Sequence, residues 1–168
     1  MKRKSFSHMP CPIARSLEVI GDAWTLLIVR DLYFGLCSFD EILENTGIAR
    51  NILSARLRKL EDDGILQKSD DPEDGRRRVY RLTPKGKDLW LVLVALMQWG
   101  DRWEAPESGP IAELYERNSG RKVPPLEIRN ASGDVLTPRD VSLRTSPGDS
   151  KNEPGSKRPD RSAEAASK

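Results

Sequence analysis

The chain has very few of the side chains on which most enzymes and small secreted scaffolds depend. It contains one histidine, His8, and two cysteines, Cys11 and Cys37, among 168 residues. Two cysteines cannot build a disulfide framework, and a single histidine near the N-terminus cannot supply a buried Ser-His-Asp or Cys-His pair. A glycine-rich phosphate loop is also missing. These absences argue against an enzyme.

The sequence also lacks an apolar run long enough to cross a bilayer and a segment with the form of a secretory signal. We therefore expect a protein of the reducing cytoplasm. The net charge is only +2, with 28 Lys and Arg against 26 Asp and Glu. Any nucleic-acid surface must come from local clustering of basic residues, because the chain as a whole is almost neutral.

The most informative stretch, residues 38–64, has the pattern of two helices joined by a glycine turn. Ser38 is a predicted N-cap with Glu41 three residues later, which is the spacing of a capping box. Gly47 marks the turn, and Gly64 marks the end of the second helix. Apolar residues at helical spacing predict the buried stripe of that second helix, namely Leu53, Leu57 and Leu60, preceded by Ile48 and Ile52.

The opposite face of the second helix is polar, which is typical of the DNA-reading helix of a helix-turn-helix. We predict that this helix spans Ala49 to Asp62 and enters a major groove. The residues expected to reach base edges are Arg50, Asn51, Ser54 and Arg58, with Ala55 on the same face. Arginine suits guanine and asparagine suits adenine. The flanking basic residues are further DNA-binding candidates, namely Arg56 and Lys59.

A β-hairpin is predicted directly after these two helices. Residues 65–69 and 78–83 are short strand-like runs, and Asp74-Gly75 between them is a turn signal. Three consecutive arginines follow that turn: Arg76, Arg77 and Arg78. We expect them to contact the neighbouring DNA backbone or minor groove. Helix, turn, helix and basic hairpin in this order predict a winged helix-turn-helix, a mainly α fold with a small β-hairpin wing.

Helices on both sides complete the predicted domain, which spans residues 11–104. A short amphipathic helix begins at Pro12 and ends at Gly21, and an apolar helix over 22–34 belongs to the core. Cys37, in the link that follows, is expected to be a small buried side chain and not a functional thiol.

The longest predicted helix begins at Pro84, behind an N-cap at Thr83, and runs to Trp103. From Lys85 to Trp103, at 1.5 Å per residue, it would be about 28 Å long. Its middle is apolar almost all round, and one domain of about 80 residues cannot cover every side of it. We therefore predict a homodimer seam on the uncovered side, formed by Leu89, Val92, Leu93, Leu96, Met97, Trp99 and Trp103. For Trp99 and Trp103, packing against their own domain is the alternative.

Three further segments differ from this domain in composition. Residues 1–10 are a basic arm that we expect to be flexible. Residues 105–145 keep short strand-like patches, which predict a small β-like appendage. Residues 146–168 have almost no large apolar side chains and are expected to be disordered.

The chain resembles the HxlR-type winged helix-turn-helix transcriptional regulators in four segments, which are CPIARSLEVIGDAWTLLIVRDL, IARNILSARLRKLEDDGIL, RRRVYRLTPKGKDLW and LMQWGDRW. Together they cover residues 11–103. The resemblance implies a homodimer that forms through its first and last helices and binds a pseudo-palindromic operator. It further implies repression or activation of neighbouring genes, at the bacterial nucleoid, in response to a small-molecule or oxidant effector and without a cofactor.

The resemblance also bears on cysteine. Some members of the family sense electrophiles or oxidants through a cysteine just before the first helix, which is the position of Cys11. The positive end of a helix favours a thiolate, but a small soft side chain that fills a packing gap is the alternative.

Some relatives carry a zinc ribbon whose paired cysteines lie at two Cys-Gly turns, whereas this chain has Ser119-Gly120 and Ser132-Gly133. Zinc needs thiolate or imidazole ligands, so we predict no metal.

A second class of function stays open. A winged helix can also serve as a protein-protein interaction module that does not bind DNA. The basic hairpin and the arginines of the second helix argue against this role, because such charges on a docking face contribute through phosphate neutralisation.

Overall fold

The computed structural model describes residues 5–6, 8–71, 74–75, 77–110 and 112–144. The chain divides into two compact units, Met1–Leu126 and Glu127–Lys168. Residues 105–126, which the sequence predicts to be part of the appendage, belong to the first unit. The predicted tail over 146–168 lies outside the described residues, as do the basic residues of the N-terminal arm.

The described part of the first unit is mainly helical and carries one two-stranded antiparallel sheet. Its elements are α1 (Pro12–Ile20), α2 (Ala23–Tyr33), α3 (Phe39–Thr46), α4 (Arg50–Asp62), β1 (Leu66–Asp70), β2 (Arg78–Leu82), α5 (Pro84–Lys87) and α6 (Trp90–Trp103). In the hairpin, Leu66 lies opposite Leu82 and Asp70 lies opposite Arg78. This order confirms the predicted winged helix-turn-helix, with α3 and α4 as the helix-turn-helix and β1–β2 as the wing.

Local capping fixes the two ends of the helix-turn-helix. Ser38 and Glu41 form the predicted capping box: the Glu41 N–H donates to Ser38 Oγ at 3.4 Å, and the Ser38 N–H donates to Glu41 Oε2 at 2.9 Å. Gly47 after α3 and Gly64 after α4 have φ values of +66° and +69°. A side chain with a Cβ rarely adopts this left-handed conformation, so both predicted glycine stops are confirmed.

Two other helices begin at side-chain caps, of which Thr83 was predicted. The Asp22 carboxylate accepts hydrogen bonds from the backbone N–H groups of Trp24 and Thr25, both at 3.1 Å, at the start of α2. Thr83 caps α5 in the same way, accepting the N–H of Gly86 at 3.2 Å. These side chains satisfy backbone donors that a helix start leaves unpaired.

The hydrophobic core lies between α2, the helix-turn-helix and the wing. The predicted stripe of α4 is confirmed, because its three leucines are at most 2% exposed. The buried cluster consists of Ile28, Val29, Ile42, Ile48, Leu53, Leu57, Leu60, Ile65, Leu66 and Tyr80. Ile52 departs from the prediction and is 39% exposed. It lies one residue from the buried stripe, which is about 100° around the helix.

The prediction of one continuous last helix was wrong in one respect, because a separate single turn, α5, precedes α6. The N–H of Leu89 donates to the carbonyl of Gly86 at 3.2 Å, a three-residue spacing that tightens the chain between the two helices. Gly86 is buried and packs against the backbone of Ile65, the residue before β1. A Cβ placed on it would lie 2.1 Å from the carbonyl oxygen of Ile65.

A short hairpin follows α6 within the first unit. Tyr115 and Lys122 form a β-bridge around a turn at Ser119-Gly120, where the glycine has a φ of +65°. The segment that leaves this hairpin is tied back to α6, since the N–H of Leu126 donates to a side-chain oxygen of Gln98 at 2.9 Å.

The second unit contains a comparable hairpin. Arg129 and Val135 form its β-bridge, and the turn at Ser132-Gly133 has a glycine φ of +90°. Among the described residues, no group of three or more His, Cys, Asp or Glu side chains is placed to hold a metal ion. No helix within the described ranges is long and apolar enough to span a membrane.

We expect Gly86→Ala to lower the free energy of unfolding by roughly 1 to 3 kcal/mol, the usual cost of overpacking, because its methyl group would collide with the Ile65 carbonyl. Gly100→Ala in α6 is the matched control. A Cβ there meets nothing within 4 Å, so helix propensity should leave stability unchanged or raise it by about 0.5 to 1 kcal/mol. Urea denaturation of both variants measures the difference, and equal effects would contradict the close approach.

Candidate nucleic-acid interface

The exposed face of α4 is a continuous polar surface. Its buried leucines turn one side of the helix to the core, so the residues between them face solvent. Asn51, Ser54, Ala55 and Arg58 are all exposed and follow one side of the helix at spacings of three, one and three. Arg58 has no ion-pair or hydrogen-bond partner among the described residues. This face therefore offers one unengaged guanidinium, one amide and one hydroxyl to a ligand.

Arg50 stands at the start of α4 and leans towards α3. Its guanidinium is 3.3 Å from Asp40 Oδ1 and its Cζ is 5.1 Å from the centroid of the Phe39 ring. Both ionised side chains are exposed, at 69% for Arg50 and 82% for Asp40. An ion pair of this kind contributes little, so a stronger anionic partner can displace it.

Arg56 and Lys59 lie beside this face and have other partners. Arg56 is half-buried, and its Nε is 3.3 Å from Oδ1 of Asp22, the carboxylate that caps α2. The contact is an ion pair without the geometry of a hydrogen bond. Lys59 Nζ is 2.7 Å from Asp63 Oδ2 at the C-terminal end of α4. Both cations hold α4 in place, and their participation in DNA binding stays a prediction.

The arginines of the wing are also engaged with the protein. Arg77 turns back to α3, where its Nη2 donates to Ser38 Oγ at 2.8 Å and to Glu41 Oε1 at 3.1 Å. Arg78 pairs across the hairpin with Asp70 at 2.7 Å, and both side chains are exposed. Arg76 lies outside the described residues. Arg77 therefore fastens the wing to the helix-turn-helix, and contacts of Arg76, Arg77 and Arg78 with DNA stay a prediction.

Glu41 is held in its charged form by this arrangement. Hydrogen bonds from the backbone and side chain of Ser38 lower the pKa of the Glu41 carboxyl, and the Cys37 N–H and the Arg77 charge lower it further. The carboxylate thus accepts from the backbone of two residues and from one guanidinium. The start of α3 and the wing therefore meet at this one group.

The wing is joined to the segment before α3 by backbone contacts as well. The N–H of Tyr80 donates to the carbonyl of Cys37 at 2.7 Å, and Ser38 forms a β-bridge with Val79. This bridge was not predicted, because one pair of residues is too short to show the alternation of a strand. It places β2 between β1 and the start of the helix-turn-helix.

Two exposed cations of the wing were not among the DNA-binding residues predicted from the sequence. Lys68 on β1 has its Nζ 5.8 Å from the centroid of the Tyr80 ring. Arg81 on β2 is exposed and has no ion-pair partner among the described residues. A count of basic residues along both strands, and not only at the turn, would have included them.

A buried carboxylate connects α2 to α3. Asp31 is 1% exposed, and its Oδ1 accepts from Asn45 Nδ2 at 2.9 Å and from Arg30 Nη2 at 2.7 Å. Its Oδ2 has no partner among the described residues. A buried charge is tolerated only when it is paired. Arg30 supplies the opposite charge from within α2, and Asn45 of α3 holds the helix-turn-helix against α2.

Large apolar side chains are exposed in a line along α6. We call Val92, Leu96, Trp99 and Trp103, which are spaced by four, three and four residues and are 38% to 63% exposed, the α6 stripe. This is the spacing of a helix seam that packs against another helix. Of the other predicted seam residues, Leu89 and Leu93 pack against the core of their own domain, and Met97 is half-buried.

The first helix adds to this apolar surface. Ile13 and Leu17 of α1 are 70% and 41% exposed, and with Val92 they line a groove of about 750 Å³ between α1 and the start of α6. Cys11 is the N-cap of α1, is half-buried and is a free thiol, as is Cys37. Contiguous apolar surface of this kind is typical of an interaction site.

Comparison with known proteins gives consistent results. The family described as HxlR-like helix-turn-helix matches residues 19–108. An uncharacterized HTH-type transcriptional regulator of Mycobacterium tuberculosis (strain ATCC 25618 / H37Rv) is 38% identical over 136 residues, which are 81% of this chain and 86% of that protein. The crystal structure of PA1607, named as a candidate transcription factor, is 40% identical with a TM-score of 0.79 and covers 85% of this chain and 100% of its own.

A third similar protein is named for a response to redox state. The redox regulator HypR, solved in its reduced form, is 27% identical with a TM-score of 0.51. The match covers 55% of this chain and 92% of that one.

Proposed function

The chain belongs to the HxlR-like helix-turn-helix family, and on that basis we propose that it is a sequence-specific DNA-binding transcriptional regulator that acts as a homodimer on a pseudo-palindromic operator. The observation that carries this proposal is the exposed polar face of α4, with the unengaged Arg58, beside a wing that is fastened to α3. The names of its relatives support a regulator over an enzyme. Because the partner is DNA, we place the protein in the cytoplasm, at the nucleoid.

In this proposal each subunit lays α4 in a major groove. Arg58, Asn51 and Ser54 then reach base edges, with Arg58 suited to the two acceptors of guanine and Asn51 to adenine. Two exposed cations beside this face, Arg50 at the start of α4 and Arg81 on β2, contact phosphates and fix the register of the protein on the duplex. A dimer reads two half-sites about 34–36 Å apart. Occupancy of the operator then blocks or assists RNA polymerase.

We expect Arg58→Ala to weaken binding to the operator by roughly 1 to 3 kcal/mol and to relax specificity at one base pair, because a bidentate contact to a base is lost. Arg81→Ala should weaken binding to all sequences about equally and lower the salt slope by about 1, since it removes a phosphate contact. Fluorescence anisotropy on operator and random duplexes over a series of salt concentrations measures both effects.

Arg139→Ala, which removes an exposed cation of the second unit, is the control and should change neither quantity. Identical behaviour of the Arg58 and Arg81 variants on both duplexes would contradict the division of roles. Absence of binding to any duplex at low salt would overturn the regulator and support a winged helix that serves as a protein-interaction module.

The dimer is proposed to form through the α6 stripe together with α1. Exposure of these side chains to water is unfavourable. Burial of apolar surface contributes roughly 25 cal/mol of stabilisation for each Å² removed from water. A twofold arrangement would pack the same patch of both subunits together and cover it. The heptad-like spacing of the stripe supports helix-to-helix contact.

Leu96→Glu is expected to convert the dimer into monomers, because burying an unpaired carboxylate costs several kcal/mol. Leu143→Glu is the matched control, since Leu143 is 89% exposed in the second unit and its replacement should leave the dimer intact. Sedimentation equilibrium gives the mass of each variant. Leu93→Glu is less informative, because Leu93 packs against the core of its own domain and its replacement threatens folding. If the Leu96→Glu protein is still a dimer, the α6 stripe does not form the dimer interface.

We also propose that Cys11 makes the regulator redox-responsive. Its free thiol lies at the start of α1, the helix that joins the proposed dimer surface, and a similar protein, HypR, is named a redox regulator. Peroxide would oxidise the Cys11 thiol to a sulfenic acid with release of water, and the sulfenic acid can condense with a second thiol to a disulfide with loss of a second water. A change at this position would move α1 against the α6 stripe and alter the separation of the two α4 helices.

Mild peroxide should lower the operator affinity of the wild type by roughly tenfold, which is within the usual range of allosteric coupling. Cys11→Ser should be insensitive, while Cys37→Ser should respond like the wild type. Anisotropy before and after oxidation measures the change. An equal response of the wild type and Cys11→Ser would leave Cys11 with a packing role alone.

A further inference from the structure

The first unit contains a cavity that the regulator described so far does not use. It lies between the end of α2, one side of α6 and residues 114–126, and its volume is about 670 Å³. Sites for small molecules are typically clefts of roughly 300 to 1,000 Å³ with a mainly apolar lining. On α6 the cavity is lined by Trp90, Leu91 and Val94, and not by members of the α6 stripe. The proposed dimer surface and this cavity thus use different sides of the helix.

Four of the side chains that line the cavity are aromatic. Tyr33, Phe34, Trp90 and Tyr115 all contribute, and the rings of Tyr33 and Trp90 are 5.4 Å apart and tilted by 46°. The two phenol groups already have partners: the Tyr33 hydroxyl donates to the Lys87 carbonyl, and the Tyr115 hydroxyl donates to a Glu113 oxygen. The rings are therefore left to contact a ligand through their apolar faces. Phe34, which is 68% exposed, gains the most from being covered.

Among the described residues, Arg117 is the one charged residue that lines this cavity. It has no ion pair or hydrogen bond among them, whereas the neighbouring Glu113 and Lys122 pair with each other. A planar guanidinium presents two parallel donors that match the two oxygens of a carboxylate. An apolar, ring-lined cavity with one unengaged arginine is complementary to a small aromatic molecule that carries one carboxylate.

We propose that this cavity is the effector site of the protein, that it binds a small aromatic carboxylate, and that Arg117 holds the carboxylate. The regulatory part of this inference rests on the proposed function. Tyr33 and Phe34 end α2, and Asp31 in the same helix is hydrogen-bonded to Asn45 of α3. A ligand that spreads α2 from α6 therefore acts on the helix-turn-helix through a buried contact.

The probe is 4-benzoylbenzoate, a photoreactive aromatic carboxylate, and its neutral parent benzophenone is the matched control ligand. Irradiation of the full chain with 4-benzoylbenzoate, followed by peptide mapping, should place the label on residues 114–126 and on the Trp90–Val94 part of α6. Arg117→Gln should lower labelling by 4-benzoylbenzoate roughly tenfold, as expected for loss of one charge-assisted contact, and leave labelling by benzophenone unchanged.

Arg121→Gln is the control variant. Arg121 is an exposed arginine of the same hairpin that does not line the cavity, so both ligands should label this variant like the wild type. Label on Leu96 or Trp99 instead of the cavity would overturn the proposal. Equal labelling of the wild type and Arg117→Gln by 4-benzoylbenzoate would also overturn it, because the arginine would then not recognise the anion.

Measurements with DNA separate this inference from the proposed function. The unliganded wild type and Arg117→Gln should bind an operator equally, and 4-benzoylbenzoate should shift the affinity of the wild type alone by at least fivefold. A ligand that labels the cavity but leaves operator affinity unchanged would overturn the effector role. Failure of the unliganded protein to bind any duplex would instead contradict the proposed function, while cavity labelling would still establish the binding site.

Discussion

The first unit depends on the capping box at the start of α3. Ser38 and Glu41 satisfy the backbone donors of that helix, and the same two side chains accept the Arg77 guanidinium of the wing. The backbone on either side completes the connection, since the carbonyl of Cys37 accepts the N–H of Tyr80. One helix start thereby sets the position of the wing relative to the helix-turn-helix. A recognition surface made of two separate elements needs this kind of fixed spacing, because base contacts and phosphate contacts must be made at once.

The second organising constraint is the composition of α6. A helix that is apolar all round must be covered on every side, and the structure divides that task among three surfaces. Leu89 and Leu93 face the core of their own domain, the α6 stripe is exposed, and the remaining side borders the cavity beside residues 114–126. The proposed dimer and the proposed effector site follow from this division. Both lie on the one helix, so a ligand and a partner subunit can influence each other through it.

The order of helices and strands was predictable because its signals are local. Glycines at Gly47 and Gly64, the caps Ser38 and Thr83, and the leucine spacing of α4 each act within a few residues, and each was confirmed. The turn at α5 was not predictable. This turn packs Gly86 against the Ile65 backbone, a contact between residues 21 positions apart that spacing along the chain does not reveal.

The candidate nucleic-acid interface could also be predicted only where its signals are local. Sequence periodicity placed Asn51, Ser54 and Arg58 on the exposed face, but it could not show which basic residues have acidic partners. Arg56 pairs with Asp22 and Arg77 pairs with Glu41, and neither pairing follows from spacing along the chain. The cavity beside Arg117 was also invisible, since its walls come from three separate segments.

The pairing of Asp22 with Arg56 has a consequence for the evolution of this family. One carboxylate both caps α2 and holds the side chain of a residue in α4, so a change at either position affects two helices. Asparagine or serine at position 22 would preserve the cap but leave the buried nitrogen of Arg56 without an opposite charge. Natural variation at the two positions should therefore be coupled. Chains that lose the acid at 22 are expected to carry a neutral residue at 56, and this correlated change would appear in an alignment as a pair separated by more than thirty positions.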